Sequence, residues 1–106
     1  MGSRINEQHG QLLRELNEER LAALTRIAGT LDGLIEQLKA LRGRLATTSG
    51  AAHARDVAMY RELRTRARKY RWYLEVQREA IGLRQHHIID EMYAIPEALD
   101  GDSPGA

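Results

Sequence analysis

The residues Leu24, Ile27, Leu31, Leu34, Leu38, Leu41 and Leu45 follow one another at alternating spacings of 3 and 4. That alternation averages ~3.5, the repeat that keeps one face of an α-helix turned toward a partner helix. A strand cannot gather these residues on one side, because its side chains alternate every second residue. A chain with this seam packs as helix against helix. Leu21, Ala28 and Ile35 recur every seventh residue beside the seam and widen it, while Leu12, Leu13 and Leu16 continue it upstream in a looser register. The first helix is predicted over about residues 5–48.

Thr47-Thr48-Ser49-Gly50 interrupts the pattern. Thr and Ser compete for backbone hydrogen bonds and Gly accepts positive φ, so the turn falls at residues 47–51, with Ser49 or Thr48 as the cap of the next helix. The two prolines are Pro96 and Pro104, and the proline-free stretch before them permits a second long helix over about residues 51–94. Its stripe runs Tyr60, Leu63, Ala67, Tyr70, Leu74, Gln77, Ile81, Arg84, Ile88, and a second stripe, Tyr73, Val76, Ala80, Leu83, His87, lies alongside. Together they cover roughly half the helix circumference, more than one antiparallel neighbour buries. The expected fold is all-α: a long, coiled-coil-like antiparallel hairpin that dimerises into a four-helix bundle. Its oligomer interface would comprise Tyr70, Tyr73, Leu74, Val76, Gln77, Ile81, Leu83, Arg84, His87 and Ile88. Residues 1–99 form one domain in this reading. Pro96 stops the second helix, and residues 100–106 are a flexible tail.

Gln77 and Arg84 are polar residues within the apolar arc. A turn at Ser49-Gly50 sets Arg84 level with Glu15 and within a turn of Glu18 and Glu19, so an ion pair fixing register or subunit pairing is expected there. Gly29 and Gly33 share a helix face and leave room for a close neighbour.

The formal net charge is +1, but it is unevenly spread. All basic residues except Lys39 and Lys69 are arginine. From Arg55 to Arg78 there are eight basic and three acidic residues; from Gln85 to the end there are five acidic residues and no basic one. Arg61, Arg64, Arg68 and Arg71 form a ridge opposite the core stripe, about 15 Å long at ~1.5 Å per residue. Forked guanidinium groups at that spacing suit phosphates or other anions, which makes nucleic acid a candidate, though less favoured, partner. The acidic end is complementary to the ridge, and pairing between subunits is one expected use. A polar stripe, Glu75, Glu79, Gly82, His86 and Asp90, carries the right atom types for a metal. It lacks the Glu-x-x-His element of di-metal helical bundles and faces away from the predicted core. No metal and no cofactor is expected. His86 reads as a surface histidine and His87 as a packed one whose protonation would loosen the bundle.

There are no cysteines, which excludes thiolate ligands and disulfides. The serines lie at an end, a turn and a tail, and no phosphate-binding glycine loop occurs. Arg84 and Gln77 alone do not reproduce the ring of basic groups that a small helical enzyme such as chorismate mutase uses. Catalysis is therefore not expected. No apolar run approaches the ~20 residues of a membrane span, and Met1-Gly2-Ser3-Arg4 leads into polar sequence without a secretory signal, so a cytoplasmic location is expected.

Tyr93-Ala-Ile-Pro-Glu97 is similar to the Tyr-x-x-x-Asp/Glu export signal of the small helical-hairpin proteins of type VII secretion systems. The turn lacks that group's Trp-x-Gly motif, and Trp72 sits mid-helix. Family membership is not inferred. The leading expectation is a non-enzymatic, self-associating helical scaffold or adaptor, a homo-oligomer acting through protein–protein contact as subunits of larger bacterial assemblies do. The alternative is an anion-binding module built on the arginine ridge; a metal-binding bundle or small helical enzyme comes after it.

Overall fold

The computed structural model describes residues 2–102, with side-chain surroundings from residue 6 onward. It contains helix α1 (Gly2–Leu45), helix α2 (Gly50–Ala80) and the short helix α3 (His87–Met92), with no strand among the described residues. α1 and α2 pack side by side in an elongated molecule of 74 × 21 × 18 Å.

The leucine seam does what its spacing dictates. Leu31, Leu34, Leu38 and Leu41, with Ile35 beside them, are buried against Tyr60, Leu63, Ala67 and Leu74 of α2 and Ile89 of α3. Leu24, Ile27 and Leu45 are half-buried at the margins of the same core. Full burial of one such side chain contributes roughly 1.5–3 kcal/mol.

Two polar contacts record the antiparallel register. Arg44 donates to Asp56 at 2.6 Å, and Arg20 donates to the carbonyl of Ala80 at 2.7 Å. Each pair stands equidistant from Gly50, so one register holds along the whole hairpin. Gly50 has φ 62, a left-handed conformation that favours glycine and turns the chain. The Arg44 carbonyl accepts from the amides of Thr47 and Thr48 at 2.9 and 3.0 Å. Ser49 occupies the N-cap position of α2, but its side chain makes no capping bond. Thr48 Oγ1 instead meets His53 Nδ1 at 3.3 Å.

α2 ends at Ala80, well short of the predicted residue 94. Leu83 N–H donates to the Arg78 carbonyl at 2.9 Å and Gly82 N–H to the Glu79 carbonyl at 3.0 Å, with Gly82 at φ 90. This is the paired-bond Schellman ending, in which a glycine just past the helix satisfies its last carbonyls. Arg20 covers the remaining Ala80 carbonyl from α1.

After α3 the chain runs back toward the turn as a strap, residues 93–102, that ends in a turn closed by Asp102 N–H donating to the Leu99 carbonyl at 2.9 Å. Tyr60 Oη donates to the Glu97 carbonyl at 2.6 Å, Arg64 Nε to the Pro96 carbonyl at 3.1 Å, and Arg61 Nε to Asp102 Oδ2 at 3.0 Å. Tyr93, Ile95 and Leu99 of the strap pack against the core. The chain's own C-terminal segment thus covers one side of the second apolar face, while Val76, Ala80, Leu83 and His87 of its second stripe remain exposed. Asp102 is held by Arg61; residues 103–106 of the expected tail lie outside the described residues.

Two further expectations need correction. Arg84 lies in the loop beyond α2 and is exposed; the helix expected to carry it past Glu15 has already ended. His87 is exposed at the start of α3 rather than packed. Gly29 and Gly33 share an open face of α1, where a Cβ built on either meets nothing within 4 Å.

Candidate functional site

Three surfaces carry the chemistry singled out in the sequence, and the structure treats them differently. The arginine ridge lies on α2 beneath the strap. Arg61 and Arg64 hold Asp102 and the Pro96 carbonyl, while Arg71 pairs with Asp90 and lies 4.0 Å from Glu75. The complementary acidic end therefore meets the basic ridge within one chain. Arg64, Arg68 and Arg71 line an open groove of about 340 Å³ with Trp72, Glu75 and Ile95. Trp72, the only tryptophan, is 59% exposed there.

The polar stripe is not assembled into a ligand set. Glu79 Oε1 meets His86 Nε2 at 2.9 Å, while Glu75 and Asp90 both face Arg71. Among the described residues no group of three or more His, Cys, Asp or Glu is placed to hold a metal ion.

The expected oligomer interface is split. Leu74 is buried inside the chain; Tyr70, Tyr73, Gln77 and Ile81 are half-buried; Val76, Leu83, Arg84, His87 and Ile88 are exposed. Tyr70 and Tyr73 meet edge to face with ring centroids 5.6 Å apart, and Lys69 Nζ lies 5.7 Å from the Tyr73 ring. The Tyr93–Glu97 motif lies in the strap rather than on a helix, with Tyr93 half-buried and the Glu97 carbonyl engaged by Tyr60.

A further uncovered apolar surface lies elsewhere. Because α2 stops level with Arg20, the part of α1 before Arg20 projects past the hairpin as a single helical arm. Leu12, Leu13 and Leu16 on it are 62%, 48% and 41% exposed, with Leu21 at 53% where the arm joins the hairpin. Val76, Leu83, Ile88 and Met92 are exposed at the same end of the molecule. Between Ile88, Met92, Leu24 and Leu74 an open apolar groove of about 230 Å³ carries Arg78 at its edge. Sequence reading missed the arm as a surface because it took α2 to run alongside it; Gly82 was the signal that α2 would not.

One ion pair outside these surfaces also escaped it. At the turn, the hydrogen bond from Arg44 holds the Asp56 carboxyl below the usual carboxylate range, and Asp56 in turn raises Arg44. Their equal distance from Gly50 was the available clue. No family, characterised protein or solved structure matches the chain. No helix among the described residues is long and apolar enough to cross a membrane.

Proposed function

We propose that this protein is a non-enzymatic helical scaffold or adaptor that works by helix–helix association, with the arm as its docking element. The observation that carries the reading is the exposure of Leu12, Leu13 and Leu16 on a helix with no neighbouring element among the described residues. Clustered leucines on one helix face lose free energy in water and regain it against another helix. The hairpin supplies what a docking helix needs: a rigid base that extends α1 without a separate nucleation cost.

Oligomerisation, first expected from the breadth of the second apolar face, now rests on the arm and on the exposed Val76, Leu83, Ile88 and Met92 beside it. Sedimentation velocity across a concentration series tests the reading. The wild type associates as concentration rises, and Leu16→Glu shifts the chain to monomer without loss of helix. Association that is unchanged in Leu16→Glu contradicts the role of the arm.

A second reading draws on the groove of Arg64, Arg68, Arg71 and Trp72, where guanidinium groups and an indole face are suited to a phosphate-bearing ligand. The acidic partners of the ridge, Asp90 and Asp102, offset much of its charge and place this reading second. Titration with random single-stranded DNA and RNA at low salt, followed by Trp72 fluorescence, decides it; no spectral change removes the reading.

A further inference from the structure

The arm carries a pattern that names its own partner. In the heptad register of the hairpin seam, the positions upstream of Leu24 are Arg20, Asn17, Leu13 and Gly10, so the seam keeps a single leucine once α2 ends. The apolar stripe moves roughly a quarter turn around α1, at ~100° per residue, onto His9, Leu12, Leu16 and Glu19. All four are exposed. A helix lying on this stripe passes beside the end of α2 rather than into it.

The spacing along the stripe is 3, 4, 3, the same in either direction. We propose that the arm pairs antiparallel with the arm of a second copy of this chain, about a two-fold axis level with Arg14. This inference rests on the adaptor reading above and specifies its partner. In that register Leu12 of one chain lies opposite Leu16 of the other, and the symmetry repeats the layer. His9 lies opposite the other chain's Glu19 on both sides of the leucine layers, so each end of the pair carries a hydrogen-bond donor facing a carboxylate. Arg14 points away from the axis. Glu15 faces its own copy at the rim, in water, where salt screens the repulsion. The contact is isologous and closes on itself, so it gives a dimer and not a filament. Antiparallel packing also continues the arrangement α1 already has with α2.

The pairing fixes the shape of the dimer. Two molecules 74 Å long, overlapping along the arms at ~1.5 Å rise per residue, make a rod of roughly 110 Å. The arms form a short interface, at the low end of specific contacts, so the expected dissociation constant is in the micromolar range.

Small-angle X-ray scattering and sedimentation equilibrium on the full chain test this, with circular dichroism confirming that each variant keeps its hairpin. The expected result is a dimer near 110 Å in maximum dimension that Leu12→Glu reduces to monomer. Glu19→Lys, which removes the carboxylate facing His9 at both ends of the pair, weakens it roughly ten-fold. Combining Glu19→Lys with His9→Glu returns the affinity to near that of the wild type. A dimer no longer than the monomer, or one indifferent to Leu12→Glu, overturns the pairing and leaves self-association through another face. A chain that stays monomeric into the millimolar range overturns both.

Discussion

The two ends of this molecule are finished differently. At the turn end, Arg44 and Asp56 join the helices across Gly50, Tyr60 is fully covered with its hydroxyl on the Glu97 carbonyl, and the strap closes the remaining side of the core. At the open end, α2 stops at Ala80, the arm continues alone, and apolar side chains from α1, α2 and α3 remain in water. Two buried nitrogens there, Arg78 Nε and His86 Nδ1, have no hydrogen-bond partner among the described residues. One helix runs through both ends, but its seam is leucine-rich alongside α2 and gives way to Arg20, Asn17 and Gly10 beyond it. What also differs is whether the chain brings a second and third layer to it. One end is covered by added layers of the chain, and the other leaves apolar surface in water.

The sharpest way to break that contrast is to truncate a side chain on each side of it. Tyr60→Ala, in the covered half, should lower unfolding free energy by about 3–5 kcal/mol, measured by urea denaturation. Leu12→Ala in the arm should cost the dilute monomer less than about 0.5 kcal/mol. Comparable losses at the two sites would mean that the arm is part of the core after all.

Gly82 marks the border between the ends. Its φ of 90 admits alanine only with strain, so Gly82→Ala should cost about 1–2 kcal/mol and destabilise the α3 region first, visible in hydrogen exchange. Tyr60→Phe keeps the packing and removes one bond to the strap; a loss of about 1 kcal/mol in the same denaturation assay is expected. On the exposed side of α1 the sign reverses. Gly33→Ala meets nothing within 4 Å and should add about 0.5–1 kcal/mol by helix propensity.

The smallest effect is the pH response of the turn. Asp56 holds its proton less tightly when folded than when unfolded, because Arg44 stabilises the carboxylate. Its contribution is therefore complete above the ordinary carboxylate range and fades as pH falls below about 4. Comparing wild type with Asp56→Asn by thermal unfolding from pH 7 downward checks this: the two should differ at pH 7, and the difference should shrink as pH falls below about 4.

How much of this was legible in the sequence depends on where the information lies. The seam from Leu24 to Leu45 is a property of residue type and spacing, so its burial could be read directly. The turn and register could be read too, because Gly50 fixes a centre and both helices count outward from it. The end of α2 was written in Gly82 but hidden by Ile81, Leu83 and Ile88, which keep helical spacing across the break. The strap was harder to foresee. Its anchors are the carbonyls of Pro96 and Glu97, groups that every residue carries and no sequence pattern marks. The arginine ridge was visible as charge, but whether its anion was foreign or the chain's own depended on that unmarked return path.

Hydrogen exchange at two protein concentrations tests the central claim, that the arm is a surface awaiting a partner helix. Amides of residues 6–19 should gain protection as concentration rises, while those of residues 31–41 and 60–74 stay equally slow at both. An arm that exchanges equally fast at every concentration, or that is as protected as the core even at high dilution, contradicts the account.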